Sequence, residues 1–466
     1  MVKYLLAALL FMLLKSEAFS QTHLPAIFAD NMVLQQQQQV SVWGTDNPRT
    51  KISVTGSWGE HAKATSDDSG HWKLKLQTPV AGGPYTVAIK GSKEITLKNV
   101  LIGEVWFCSG QSNMEMPVKG YANQPVMGSN ETILHSLNDN IRFLNTPRSV
   151  SLTPLNDVKG EWKAASPATT GNFSATAYYF AKKLQSVLSV PVGIIQSAWG
   201  ASIIESWMNR QTLSGFRNKV IPDKVPDSLP NRTPTIMYNS MLHPYIGCTV
   251  KGVLWYQGEA NRENADEYQS LFTSMIASWR TQWQQGDFPF YFVQIAPLEP
   301  GKVNAAFLRE AQLKTMQSVK NTGMAVTMDI GERTIIHPSQ KEAVGNRLAY
   351  WALAKDYNFQ GIAFSGPVYR DMQKAANGKM VLNFDYCEQG LTSFGKPLTD
   401  FEIAGEDKIF YPAEAMIHKE KSGVVVVWND TVKNPVSVRY AFKNWALGCL
   451  FNTQGLPASS FRTDNW

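Results

Sequence analysis

Gly110-Gln111-Ser112-Asn113 follows the apolar run 105–108, so a serine is delivered on a sharp turn directly after a buried strand. A hydroxyl held there clears the sheet edge, and the backbone N–H groups after it can receive an oxyanion. Glycine at 110 supplies the backbone freedom such a turn requires. The chemistry this suggests is acyl transfer, which needs a base and oxyanion donors besides the nucleophile. A lone serine after glycine more often bonds only to local backbone. Its partners must therefore come from elsewhere in the chain.

The elements that position these groups read as alternating strands and helices. Five apolar stretches, 104–108, 192–197, 252–256, 290–295 and 324–328, are strand candidates. Between or after them, Tyr178, Ala181, Leu184 and Leu188 share one helical face, as do Tyr268, Leu271, Phe272, Met275, Ile276 and Trp279, and a third helix covers 338–352. This α/β pattern predicts a mostly parallel sheet of about five strands, covered on both faces.

In such a sheet functional residues gather beyond the carboxyl ends of the strands. Ser112 and Asn113 follow the first strand, Gly200 the second, and Gln257, Glu259 and Asn261 the third; Asp329 and then His337 follow the fifth. Ser112 is the candidate nucleophile and His337 the base, with Asp329 as the carboxylate behind the imidazole and Glu332 as runner-up. The backbone N–H groups of Ser112 and Gly200 and the Asn261 amide are candidate oxyanion donors. Gln111, Gln257, Glu259 and Arg309 are candidate substrate contacts. Each residue has a plainer reading: His337 before Pro338 can bond to backbone, Asn261 can cap a turn, and Gly200 can simply end a strand. Their joint appearance at strand ends favours the catalytic reading.

The rest of the chain frames this centre. Residues 1–20 combine a basic start, about ten uncharged apolar positions and small residues before a cut after Ala18 or Ser20, the pattern of a secretory signal peptide. A secreted or periplasmic protein without membrane insertion is expected. Residues 21–101 read as a small antiparallel β-sandwich, 102–357 as the α/β domain with an aperiodic excursion at 208–234, and 358–466 as a second β-rich domain. The net charge of +6 comes without a Lys/Arg cluster, which argues against nucleic acid. The four cysteines, Cys108, Cys248, Cys387 and Cys449, have neither metal spacing nor a disulfide framework, although Cys387 and Cys449 could pair in an oxidising compartment. With no Gly-rich phosphate loop either, the expectation is that neither metal nor other cofactor is needed.

The block Gly103-Glu104-Val105-Trp106-Phe107-Cys108-Ser109-Gly110-Gln111-Ser112-Asn113-Met114-Glu115 resembles the nucleophile block of sialate O-acetylesterases, within the SGNH hydrolases. Trp255-Tyr256-Gln257-Gly258-Glu259-Ala260-Asn261, Leu308-Arg309-Glu310-Ala311-Gln312 and Ile336-His337-Pro338 resemble further blocks in family order. The resemblance implies a flavodoxin-like SGNH domain beside β domains, and cofactor-free removal of O-acetyl groups from sialic acids, 9-O-acetyl favoured. It puts the nucleophile on Ser112, the base on His337 and oxyanion donors on Gly200 and Asn261. Many SGNH enzymes carry an aspartate three positions before the histidine; here that position is Thr334, so a Ser-His dyad is an alternative. Sialic acid bears a carboxylate that an arginine would bind bidentately, and Arg309 or Arg210 are candidates. Two competing readings are an acetylesterase of acetylated xylan or another glycan, and a secreted carbohydrate-binding or adhesive protein whose hydrolase domain is degenerate.

Overall fold

The computed structural model describes residues 21–466, so the signal-peptide reading of 1–20 lies outside the described residues. All five expected strands form. The central sheet is built from β1 (Glu94–Gly110), β2 (Asn138–Asn145), β3 (Trp162–Ala165), β4 (Val192–Ala198), β5 (Gly252–Tyr256), β6 (Phe290–Val293) and β7 (Thr322–Ala325), in the order β7-β6-β5-β1-β4-β2-β3. Six of these run parallel, and only the edge strand β3 is antiparallel to its neighbour. β2 and β3 are additions to the expected sheet. With them set aside, the five remaining strands lie in the order second, first, third, fourth, fifth.

Alternation along the strands divides the core in two. Trp106, Cys108, Leu254, Tyr256, Tyr291 and Val293 face α2 (Ala175–Leu188) and α5 (Lys341–Asp356). Val105, Phe107, Val253, Trp255, Phe290 and Phe292 face α3 (Ala265–Trp283) and α4 (Ala306–Ser318). A parallel sheet covered on both faces needs apolar side chains on both, which is why these strands read as continuous runs. Each large side chain so buried contributes on the order of 2 kcal/mol.

β1 is longer than its apolar run. Its first half pairs antiparallel with Gly82–Lys90 and meets Val33–Gln35 in parallel, and its second half is the centre of the main sheet. The N-terminal β region, which also contains Gln39–Thr45 paired with His71–Gln77, is thus joined to the main sheet by an unbroken strand. After α5 come two four-stranded antiparallel sheets. The chain end packs back, since Phe461–Arg462 pairs with Ser437–Tyr440. All four cysteines are free, and the Cys387 thiol donates to the Phe384 carbonyl, so Cys387 and Cys449 do not pair. No helix among the described residues is long and apolar enough to cross a membrane.

Candidate active site

β1 ends at Gly110, whose φ of +140° lies in the region that favours glycine. A Cβ there would stand 2.1 Å from the Tyr256 carbonyl oxygen, so no side chain fits. The next residue, Gln111, donates its N–H to that same carbonyl at 2.9 Å. The chain then turns into the single-turn helix α1 (Ser112–Glu115), with Ser112 as its first residue. As a first helical residue Ser112 has an N–H without an intrahelical acceptor, which suits an oxyanion.

Beneath Ser112 lies a buried polar network. The Asn113 amide donates to Glu259 Oε1 at 2.6 Å and to the Ile336 carbonyl at 3.1 Å, while its oxygen accepts from the Lys341 ammonium. The Ile336 bond connects the residue after Ser112 to the residue before His337. Burial pushes the Lys341 pKa down to about 7 against the opposing pull of Glu259, and pushes the Glu259 carboxyl up. Asn113 bridges the Glu259 carboxyl and the Lys341 amine, using both ends of its amide.

His337 is buried beside this network. Its Nδ1 is hydrogen-bonded to Gln124 Oε1, and its ring stands edge-on to Tyr121 with centroids 5.4 Å apart. Tyr121 in turn donates its hydroxyl to the Ser112 carbonyl at 3.5 Å, so one aromatic residue touches both Ser112 and His337. Tyr121 and Gln124 are presented by a tight turn in which each backbone N–H donates to the other's carbonyl. A glutamine oxygen can only accept, so Nδ1 carries the hydrogen and Nε2 carries the lone pair. That Nε2 is buried and has no partner among the described residues. Burial, then the charge of Lys341, lowers the imidazole pKa to about 4, which keeps it neutral, with its lone pair unprotonated, at physiological pH.

The expected carboxylate is not behind this histidine. Asp329 accepts from Arg347 Nη1 at 2.8 Å and Nη2 at 2.6 Å, a bidentate pair that ties the end of β7 to α5. Glu332 accepts the Ser339 N–H at 2.9 Å and so braces the loop after His337, and Thr334 is exposed. Gln124, which no sequence motif marks, holds the imidazole instead. If His337 is the base, kcat/KM should hold down to about pH 4 and fall below it, because protonated imidazole accepts no proton. Gln124→Glu would favour the imidazolium and should move that acid limb up by about one unit or more. A wild-type limb at the ordinary imidazole value, or a limb unmoved by Gln124→Glu, would contradict this arrangement.

Gly200 lies close to Ser112: a Cβ on it would come 3.3 Å from the Ser112 Cβ. Its N–H donates to Glu115 Oε2 at 2.8 Å, so the expected donor is occupied by a carboxylate oxygen. The excursion at 208–234 holds this backbone from the other side, with Asn231 Nδ2 donating to the Gly200 carbonyl at 2.6 Å and Arg232 to that of Ala201 at 3.3 Å. Asn261 donates one amide hydrogen to Glu205 at 2.9 Å and accepts from Ile204 N–H and Gln257, which leaves its second N–H for another acceptor.

The four expected substrate contacts all make bonds within the fold. Gln111 Oε1 accepts from the Gly258 and Ala260 N–H groups, bracing the loop after β5. Gln257 is fully buried and bonds to Ser202, Asn261 and Tyr268. Glu259 belongs to the Asn113 network. Arg309 is fully buried, donating to Ser460 and to the Ala441 and Lys443 carbonyls, so it fastens α4 to the chain end. Arg210 is exposed on the excursion and donates to the Pro222 carbonyl.

Residues 102–354 match the family model described as carbohydrate esterase, sialic acid-specific acetylesterase. Curated relatives include the sialate O-acetylesterases of Mus musculus, 29% identical over 90% of this chain and 89% of that one, and of Rattus norvegicus, 30% identical over 81% of each. Among solved structures, a carbohydrate acetylesterase from Xanthomonas citri superposes with a TM-score of 0.87 at 38% identity, covering 96% of this chain and 100% of that one. The protein is a carboxylic ester hydrolase. Within that class, the chain belongs to the sialic acid-specific acetylesterase family of carbohydrate esterases.

Proposed function

We propose that this enzyme removes O-acetyl groups from sialic acids, with Ser112 as nucleophile and His337 as general base. The observation that carries this reading is the buried, unpartnered Nε2 of His337, in a ring fixed through Nδ1 by Gln124 and linked through Tyr121 to Ser112. Nε2 takes the hydroxyl proton as Ser112 Oγ attacks the acetyl carbonyl. It then gives that proton to the departing sugar oxygen, leaving an acetyl-serine. Water deprotonated by the same nitrogen attacks the acetyl-serine, releases acetate and restores the hydroxyl. The Ser112 N–H, the Gly200 N–H and the free Asn261 N–H are the donors proposed for the oxyanion, each contributing about 3 kcal/mol when aligned. That Gly200 already donates to a carboxylate oxygen supports its fitness for an anion, and Glu115 has to yield it during turnover. The strand order, with β2 and β3 set aside, supports the flavodoxin-like SGNH reading. The N-terminal sequence supports export to the periplasm or beyond.

The family and the curated relatives favour a sialate substrate, whereas the Xanthomonas citri structure, described only as a carbohydrate acetylesterase, keeps other acetylated glycans such as xylan as a second reading. An acetate-release panel separates them. Faster release from 9-O-acetyl than from 4-O-acetyl sialic acid, and from either than from acetylated xylan, is the expected result. A preference for xylan would overturn the sialate reading and leave the proposed mechanism standing.

A further inference from the structure

An arginine beside the site is Arg148, three residues beyond the end of β2. Its Nε donates to Glu115 Oε1 at 2.6 Å, and its guanidinium lies over the Trp199 ring, 5.4 Å from the centroid. Glu115 reaches Gly200 with its other oxygen, and a Cβ on Gly200 would stand 3.3 Å from the Ser112 Cβ. The guanidinium is thus one carboxylate away from the backbone beside Ser112. Glu115 and Trp199 hold it from one edge and one face. The Nη1 and Nη2 edge makes no hydrogen bond among the described residues, and the side chain is 54% exposed. Three further arginines are buried within the fold: Arg309 fastened to the chain end, Arg347 to Asp329, and Arg280 to the carbonyls of Phe288, Lys320 and Asn321. We propose that Arg148, pre-oriented by Glu115 and Trp199, is the specificity-determining residue that receives the carboxylate of the sugar through its Nη1 and Nη2 edge. The inference rests on the sialate reading.

Its geometry explains why an arginine rather than a lysine suits the position. A planar fork already gripped at Nε still offers two parallel N–H groups to a second carboxylate, and it stacks on an indole while doing so. Charge-assisted bonds of this kind discriminate because the acid is rewarded and a neutral analogue is not.

The test compares acetate release from an O-acetylated sialic acid and from its carboxyl methyl ester, in wild type, Arg148→Ala, Arg148→Lys and Arg232→Ala. The readout is the ratio of kcat/KM for acid over ester, which general damage to the fold leaves unchanged. The wild-type ratio is expected to be about 10 to 100. Arg148→Ala should bring it close to one, mainly through a higher KM for the acid, with Arg148→Lys intermediate and Arg232→Ala like wild type. A wild type that prefers the acid while Arg148→Ala retains the preference would overturn the role of Arg148 and leave the sialate reading intact. So would a collapse in Arg232→Ala alone. A wild type indifferent to the methyl ester would overturn the role of Arg148 directly, and a preference for acetylated xylan in the same assay would overturn the sialate reading with it.

Discussion

Ser112→Ala is expected to lower kcat for acetate release by about 10,000-fold or more, with the fold retained. The size follows from the role: without the oxygen no acetyl-enzyme forms, and only binding and the oxyanion donors are left to assist direct attack by water. The retained fold follows from the surroundings. Ser112 is half-buried, and its structural bonds run through its backbone, whose carbonyl accepts from the Met116 N–H at 2.7 Å and from Tyr121. Loss of one hydroxyl should therefore shift stability by less than about 1 kcal/mol. Activity loss at an unchanged unfolding temperature separates the lost nucleophile from a damaged site. Turnover undiminished in a folded Ser112→Ala variant would remove the basis of the mechanism.

His337→Ala is expected to cost about as much, and the double variant with Ser112→Ala should be no slower than either single one, because both residues act in one proton transfer. Additive losses would mean that the two work in separate steps. Asp329→Asn supplies the contrast. Its carboxylate is committed to Arg347, so the variant should lose about 1–3 kcal/mol of stability. Its kcat should change by less than about tenfold. A loss at Asp329 comparable to that at His337 would restore the aspartate to the proton relay.

The contrast between Asp329 and Gln124 marks where sequence reasoning reached its limit. An aspartate at a strand end is chemically suited to orient a histidine, but so is an arginine 18 residues later suited to take it, and only the packing of α5 on the sheet decides. Gln124 is an ordinary amide in a polar turn, 213 residues from the ring it holds. Its type and spacing carry no signal. The five parallel strands were legible because cover on both faces demands unbroken apolar runs. β2 was not, since Asn138, Asp139 and Asn140 begin it and Arg142 interrupts the apolar stretch that the structure buries. Missing β2 concealed Arg148, which lies just beyond its carboxyl end, and left Arg309 and Arg210 as candidates. α4 was hidden for a related reason: Arg309, Gln312 and Thr315 are buried on its inner face, where apolar residues would have shown a helical period.

The central claim is that Ser112 is the residue that becomes acylated, and covalent labelling tests it most directly. Incubation with a fluorophosphonate, proteolysis and mass mapping should place one adduct on the peptide containing Ser112. That adduct should be absent from Ser112→Ala and formed far more slowly in His337→Ala, where no base removes the hydroxyl proton. An adduct on any other serine with concomitant loss of activity, or full inactivation of Ser112→Ala by the same reagent, would contradict the account.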